Sequence, residues 1–180
     1  IAPFAETGGN RYFLQGIHIV ETSAGGCYII ATDGHRMALY HDIKTGINRS
    51  KEEKNRDCII RLSKEMVAAC KRKSNANQTA CIDTNANTLT IAGTTYGTQD
   101  DNIWIDADFP DWQSLLTNTV DVEPCNTIHV NADYLKSFGL GNKGAAITLD
   151  MRTPTSPILV RNDQYPEFLG LLMPCRSTAH

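Results

Sequence analysis

Apolar and polar residues follow one another along this chain in short, mostly alternating runs, which is the spacing of strands rather than of long helices. Arg11 to Val20, Cys27 to Thr32 and Arg36 to His41 are rich in β-branched and aromatic residues and predict three strands. Asp33-Gly34 between the last two predicts a tight hairpin, because glycine reaches positive φ at no steric cost. The polar stretch Lys44 to Asp57 buries little and predicts an exposed loop. Cys58 to Arg61 then reads as a strand. Ser63 to Lys73 reads as a helix, with Ser63 as its cap and Met66, Ala69 and Cys70 as its apolar stripe. Gln78 to Asp83, Thr88 to Ala92 and Asn102 to Asp106 read as three more strands, with Asn85-Ala86-Asn87 as a turn. Asp108-Phe109-Pro110-Asp111-Trp112 breaks the pattern and leads into a short helical turn.

After a linker-like stretch from Thr117 to Pro124 the order restarts. Thr127 to Val130 predicts a strand and Asn131 to Phe138 a capped helix. Ala145 to Leu149, Ile158 to Arg161 and Phe168 to Met173 predict three strands. Strand, helix, three strands thus occurs twice, over Cys58 to Asp106 and over Thr127 to Met173. Tyr12 to His41 is the strand part of an earlier copy, whose helix falls at or before Ile1-Ala2-Pro3-Phe4. A helix on one small sheet hides its apolar face poorly alone, so such units are expected to pair. The fold class is therefore α+β: repeated β-α-β-β-β half-units with helices on one face of antiparallel sheets.

Composition narrows the function. The 180 residues carry a net charge of −3, which argues against holding nucleic acid by bulk charge alone but leaves room for a local basic stripe. The six cysteines form no Cys-x-x-Cys pair and mostly sit in apolar runs. They read as small, reduced, buried residues, which places the protein in the cytoplasm. No run is long and apolar enough to span a membrane, and no signal peptide is visible. The chain opens without Met, which implies a longer natural N-terminus. Asp33 and His35, with His18, His41 and His129 elsewhere, match no known metal or nucleophile spacing. Gly25-Gly26 reads as a turn rather than a phosphate loop. No enzyme activity, metal or cofactor is expected.

Two stretches carry more specific information. Ala31-Thr32-Asp33-Gly34-His35-Arg36-Met37-Ala38, followed far downstream by Leu171-Leu172-Met173-Pro174-Cys175-Arg176, resembles the two walls of the peptide cleft of the bacterial DNA polymerase III beta sliding clamp family. Arg11-Tyr12-Phe13-Leu14-Gln15-Gly16 and Phe109-Pro110-Asp111-Trp112 fall in the order of a clamp's middle domain. The resemblance covers nearly the whole chain. It implies a DNA-clamp fold with a middle-domain-like part over 1–118, a linker over 119–125 and half of a C-terminal-like domain over 126–180. About three half-units are present, against six in a bacterial clamp. Four chains, rather than two, would complete a ring, with a dimer through the unpaired third unit as its building block.

The resemblance also implies a function: a replication accessory protein that offers an apolar cleft to peptides of polymerases, the clamp loader and repair proteins, and that encircles double-stranded DNA as a homo-oligomer. The alternative is an adaptor or decoy that binds such peptides without DNA retention. The matching cleft positions are Leu14, Thr32, Gly34, His35, Arg36 and Met37 on one wall. Leu171, Leu172, Met173, Pro174, Cys175 and Arg176 form the other. Leucine and methionine supply adaptable apolar surface, and the arginines hold peptide carbonyls or carboxylates. Arg11, Tyr12 and Phe13 match a loop that touches DNA, while strand alternation alone would turn one of the two rings inward. Lys64, Lys71, Arg72, Lys73 and Lys136 are the helix cations placed to line a hole. Where the family commonly has a proline near the cleft this chain has Thr117, and Ser177 stands in place of the family's terminal apolar residue.

Overall fold

The structure, a computed structural model, describes residues 1–43, 57–72, 79–97, 102–117 and 127–175. The loop read over Lys44 to Asp57 lies almost wholly outside those residues, as do the linker over 119–125, Lys73, Arg176 and Ser177.

Alternating side chains build the first hairpins. Strands β1 (Ile17–Glu21), β2 (Cys27–Thr32) and β3 (Arg36–Asp42) form an antiparallel meander. The turn between β2 and β3 is stabilised from within. Asp33 Oδ1 accepts from the backbone N–H of His35 at 2.9 Å and of Arg36 at 3.0 Å. The Thr32 hydroxyl donates to the Arg36 carbonyl and accepts from the Gly34 N–H. Gly34 stands at φ +83°, which only glycine takes without strain.

Strand β4 (Cys58–Ile60) pairs with β1, and helix α1 (Lys64–Lys71) follows it. The Ser63 hydroxyl accepts from the Met66 N–H at 3.2 Å and caps the helix. Replacing Ser63 with Ala is expected to cost about 1 kcal/mol, read as a lower urea midpoint with an unchanged slope. Met66 and Ala69 are buried as expected, but Cys70 is exposed, one position off the buried face. Cys81 and Cys175 are exposed as well, whereas Cys27 and Cys58 fill core positions.

Strands β5 (Ala80–Asp83), β6 (Thr88–Ile91) and β7 (Thr94–Tyr96) form a small separate sheet. The third strand escaped the sequence reading because its turn is only Ala92-Gly93, both at positive φ, and an alanine there gives no turn signal. Strand β8 (Trp104–Ile105) is shorter than expected and pairs with β4. Helix α2 (Trp112–Thr117) follows the Phe109-Pro110 break.

The strand expected at Thr127 to Val130 does not form: these residues lie outside the strands of both sheets. Helix α3 (Ala132–Ser137) is capped by Asn131, whose side-chain oxygen accepts from the N–H groups of Asp133 and Tyr134. Strands β9 (Ile147–Asp150), β10 (Ile158–Asn162) and β11 (Tyr165–Leu172) complete the chain. Strand β11 pairs antiparallel with β3, so one sheet runs β8-β4-β1-β2-β3-β11-β10-β9. The segments on either side of the linker stretch therefore share a single eight-stranded sheet.

The period of two sorts the core by face. Ala31, Ala38, Ile158, Val160, Phe168 and Leu172 turn to the face where Phe4 and Phe138 pack. Met66 and Ala69 of α1 join Ile19, Cys27 and Ile60 in the neighbouring cluster on that face, under the small sheet. Ile30, Met37, Leu39, Leu159 and Leu171 turn the other way, onto Trp112. The first part of the strand expected over Arg11 to Val20 is not a strand: Tyr12–Leu14 is a 3-10 turn that leads into β1 at Ile17.

Candidate peptide cleft and basic helix face

The junction of β3 and β11 leaves an apolar cavity of about 290 Å³ on the Trp112 side of the sheet. Leu14, Met37 and Leu171 form its buried floor. Phe109, Pro110, Trp112 and Leu115 close one side, and Met173 stands at the rim, 37% exposed. Phe13, Thr32, Gly34, His35, Arg36 and Arg11 complete the lining. The Met173 N–H donates to the His35 carbonyl at 2.9 Å, which continues the sheet beyond β11 and ties the two walls together. An apolar concavity with a few polar groups at its edge is the form that small ligands and peptide side chains occupy.

Not every expected cleft residue reaches this cavity. Leu172 is fully buried on the opposite face with Phe4 and Phe138, because strand neighbours point to opposite sides. Leu171 and Met173 serve the cleft instead. Pro174 and Cys175 lie past the cavity, and the Cys175 N–H donates to the His129 carbonyl at 2.7 Å. Arg36 reaches the edge of the cavity but is not a free cation. Its Nε donates to Asp33 Oδ2 at 2.9 Å and its Nη2 to the Pro3 carbonyl at 3.0 Å. The guanidinium lies 5.0 Å from the ring centres of both Phe4 and Tyr134. His35 stacks on Tyr134, with ring centres 5.7 Å apart. Arg36 therefore braces the hairpin against the N-terminal segment and α3 with two of its five N–H groups, while it also lines the cavity edge.

The loop assigned to DNA divides differently. Phe13 turns into the cleft, and Arg11 lies across Gly34 at its edge, paired with Glu6 at 3.0 Å and donating to the Asp33 carbonyl at 2.8 Å. Tyr12 alone points outward, 52% exposed. Four cleft residues were missed as such: Phe109, Pro110, Trp112 and Leu115. Their apolar spacing across a proline-broken segment was visible, but nothing local tied it to β3.

Lys64 and Lys71 of α1 are exposed, as are Arg72 at its end and Lys136 on α3. Both helices lie on the face of the large sheet opposite the cleft. The two lysines of α1 flank a groove of about 400 Å³ floored by Ala2, Ala5, Ile17, Leu62, Val67 and Ala68. Among the described residues no group of three or more His, Cys, Asp or Glu side chains is placed to hold a metal. No helix among them is long and apolar enough to cross a membrane.

No family model matches the sequence, and no curated protein does. Solved structures do match, among them several bacterial DNA polymerase III beta sliding clamps. The Helicobacter pylori beta clamp, solved with a DNA ligase peptide, is similar over 98% of this chain and 61% of its own, at 16% identity and a TM-score of 0.67. The beta subunit from Thermotoga maritima is similar over 98% of this chain and 61% of its own, at 14% identity and a TM-score of 0.66. The Pseudomonas aeruginosa beta subunit gives 97%, 61%, 14% and 0.61 in the same order. The fold is thus the sliding-clamp fold, and the chain spans about three-fifths of the length of these proteins.

Proposed function

We propose that this protein is a clamp-like binding protein of DNA replication, without catalytic activity, whose cleft at the β3–β11 junction takes short extended peptides of polymerases, clamp loader or repair proteins. One observation carries this reading. Two segments far apart in sequence converge on one apolar cavity with Leu14, Met37 and Leu171 as its floor. The likeness to a clamp solved with a DNA ligase peptide supports the same class of ligand. The exposed cations of α1 and α3 support a DNA-facing side opposite the cleft. At a net charge of −3, retention on DNA requires closure into a ring by several copies rather than charge alone. The middle-domain-like and C-terminal-like division at 119–125 belongs to the same proposal.

A peptide of the clamp-binding type titrated into the protein, followed by Trp112 fluorescence, tests the cleft. Binding is expected near micromolar strength. Met173→Asp sets a carboxylate at the apolar rim and is expected to weaken binding by about tenfold or more, roughly 1.4 kcal/mol. Unchanged affinity in that variant rejects the cleft. Ring closure has its own test: loss from circular DNA once it is linearised supports encirclement, and equal retention on both forms rejects it. Light scattering separates a species near four times the 19.8 kDa chain from a dimer or monomer. A chain that stays small yet binds peptide fits the adaptor or decoy reading.

A further inference from the structure

Phe109 separates two concavities. One side of it lines the apolar cleft. The other belongs to a larger hollow of about 780 Å³ shared with His18, Asp57, Asp106 and Asp108. His18, on β1, backs the ring: the two ring planes are 24° apart with centres 4.4 Å apart. The imidazole is buried, 5% exposed, and its Nε2 lies 3.4 Å from Asp57 Oδ2. Its Nδ1 has no hydrogen-bond partner among the described residues.

We propose that neutral His18, braced by Asp57, positions Phe109 as a wall of the peptide cleft, so that the cleft loses affinity on acidification. The ligand in this inference rests on the cleft reading above; the ring geometry does not. Protonation sets a charge inside an apolar stack and gives Nδ1 a proton with no buried acceptor, and both are unfavourable. Burial holds the imidazole below its ordinary value of 6.5, outweighing the charge and contact of Asp57, which raise it. The sign follows. A base whose pKa is lowered in the packed state leaves that state fully supported above about pH 6.5, and the support fades as pH falls through the lowered value.

The groups around the ring give the charged form somewhere to go. Asp57 precedes β4, and Asp106 and Asp108 follow β8, all lining the polar hollow. The neighbouring strands offer only Ile30 of β2 and Ile59 of β4 opposite His18. An imidazolium is drawn towards the carboxylates and away from Phe109, and the cleft loses its backing there.

Two other imidazoles stand near the cleft and need separating. His35 lines it, and His41 packs on Tyr28, which packs on Trp112. Peptide affinity is therefore measured at about pH 7.5 and about pH 5.5 in the wild-type chain and in His18→Gln, His18→Leu, Asp57→Asn, His35→Gln and His41→Gln. The wild-type chain is expected to weaken several-fold at the lower pH. Both His18 variants are expected to show no such loss, and the other two histidine variants to keep it. Asp57→Asn is expected to move the loss to lower pH. In parallel, without peptide, the Phe109 ring signals in NMR are expected to shift along the titration curve of the His18 imidazole. His18 variants that keep the wild-type pH dependence overturn the proposal, and so do Phe109 signals that ignore the His18 titration. A wild-type chain that binds no peptide at either pH overturns the cleft reading instead, and the NMR titration then decides the role of His18 by itself.

Discussion

Arg36→Ala is expected to lower the stability of the fold by about 3 kcal/mol and to carry peptide binding down with it. Arg36 and Asp33 are each mostly buried, at 15% and 14% side-chain exposure, so removing the guanidinium leaves a carboxylate without its main partner. The same step frees the Pro3 carbonyl and uncovers the faces of Phe4 and Tyr134. Arg36→Lys keeps the charge but loses the planar fork and the stacking, so it is expected to recover only part of the loss. Urea unfolding with an unchanged slope checks the stability term. A variant of normal stability that fails only in peptide binding would show that Arg36 serves the ligand directly rather than through the hairpin.

Phe138→Ala is expected to cost about 3–5 kcal/mol, the range for emptying a buried phenylalanine site. Phe138 is fully buried, with ring centres 5.1 Å from Phe4 and 6.4 Å from Phe168. It lies directly over Gly170, where an added Cβ would come within 2.6 Å of the ring carbon Cδ1. Gly170→Ala is accordingly expected to destabilise by about 1–3 kcal/mol through overpacking. Both sites act on β11, the strand that brings Leu171 to the cleft. Hydrogen exchange is expected to show faster exchange of β11 amides in both variants than in the wild-type chain. Protection unchanged in β11 would separate this aromatic cluster from the cleft.

Local patterns carried a large share of the architecture. Asp33-Gly34 marked the β2–β3 hairpin because the turn's closing bonds are local: the Asp33 carboxylate and the Thr32 hydroxyl bond to backbone groups of the same turn. Ser63 and Asn131 marked two helix starts for the same reason, since a cap needs only its own next turn. The chain's resemblance to sliding clamps rested on motifs of this local kind, and the fold matched it.

The misses share a different cause. Leu172 and Leu171 are chemically alike, and only the register of β11 against β3 decides which of them enters the cleft. Arg36 and Arg11 read as free cations because Pro3, Phe4, Tyr134 and Glu6 lie at other places along the chain. Phe109, Trp112 and Leu115 became cleft residues only when α2 folded over the β1–β3 meander and its extension by β11. Sequence by itself determined the elements, their caps and turns, and the residue types available for a peptide site, because these depend on near neighbours. Tertiary structure alone decided which face each side chain takes and which charges are spent internally, because both depend on contacts between segments that the chain brings together only on folding.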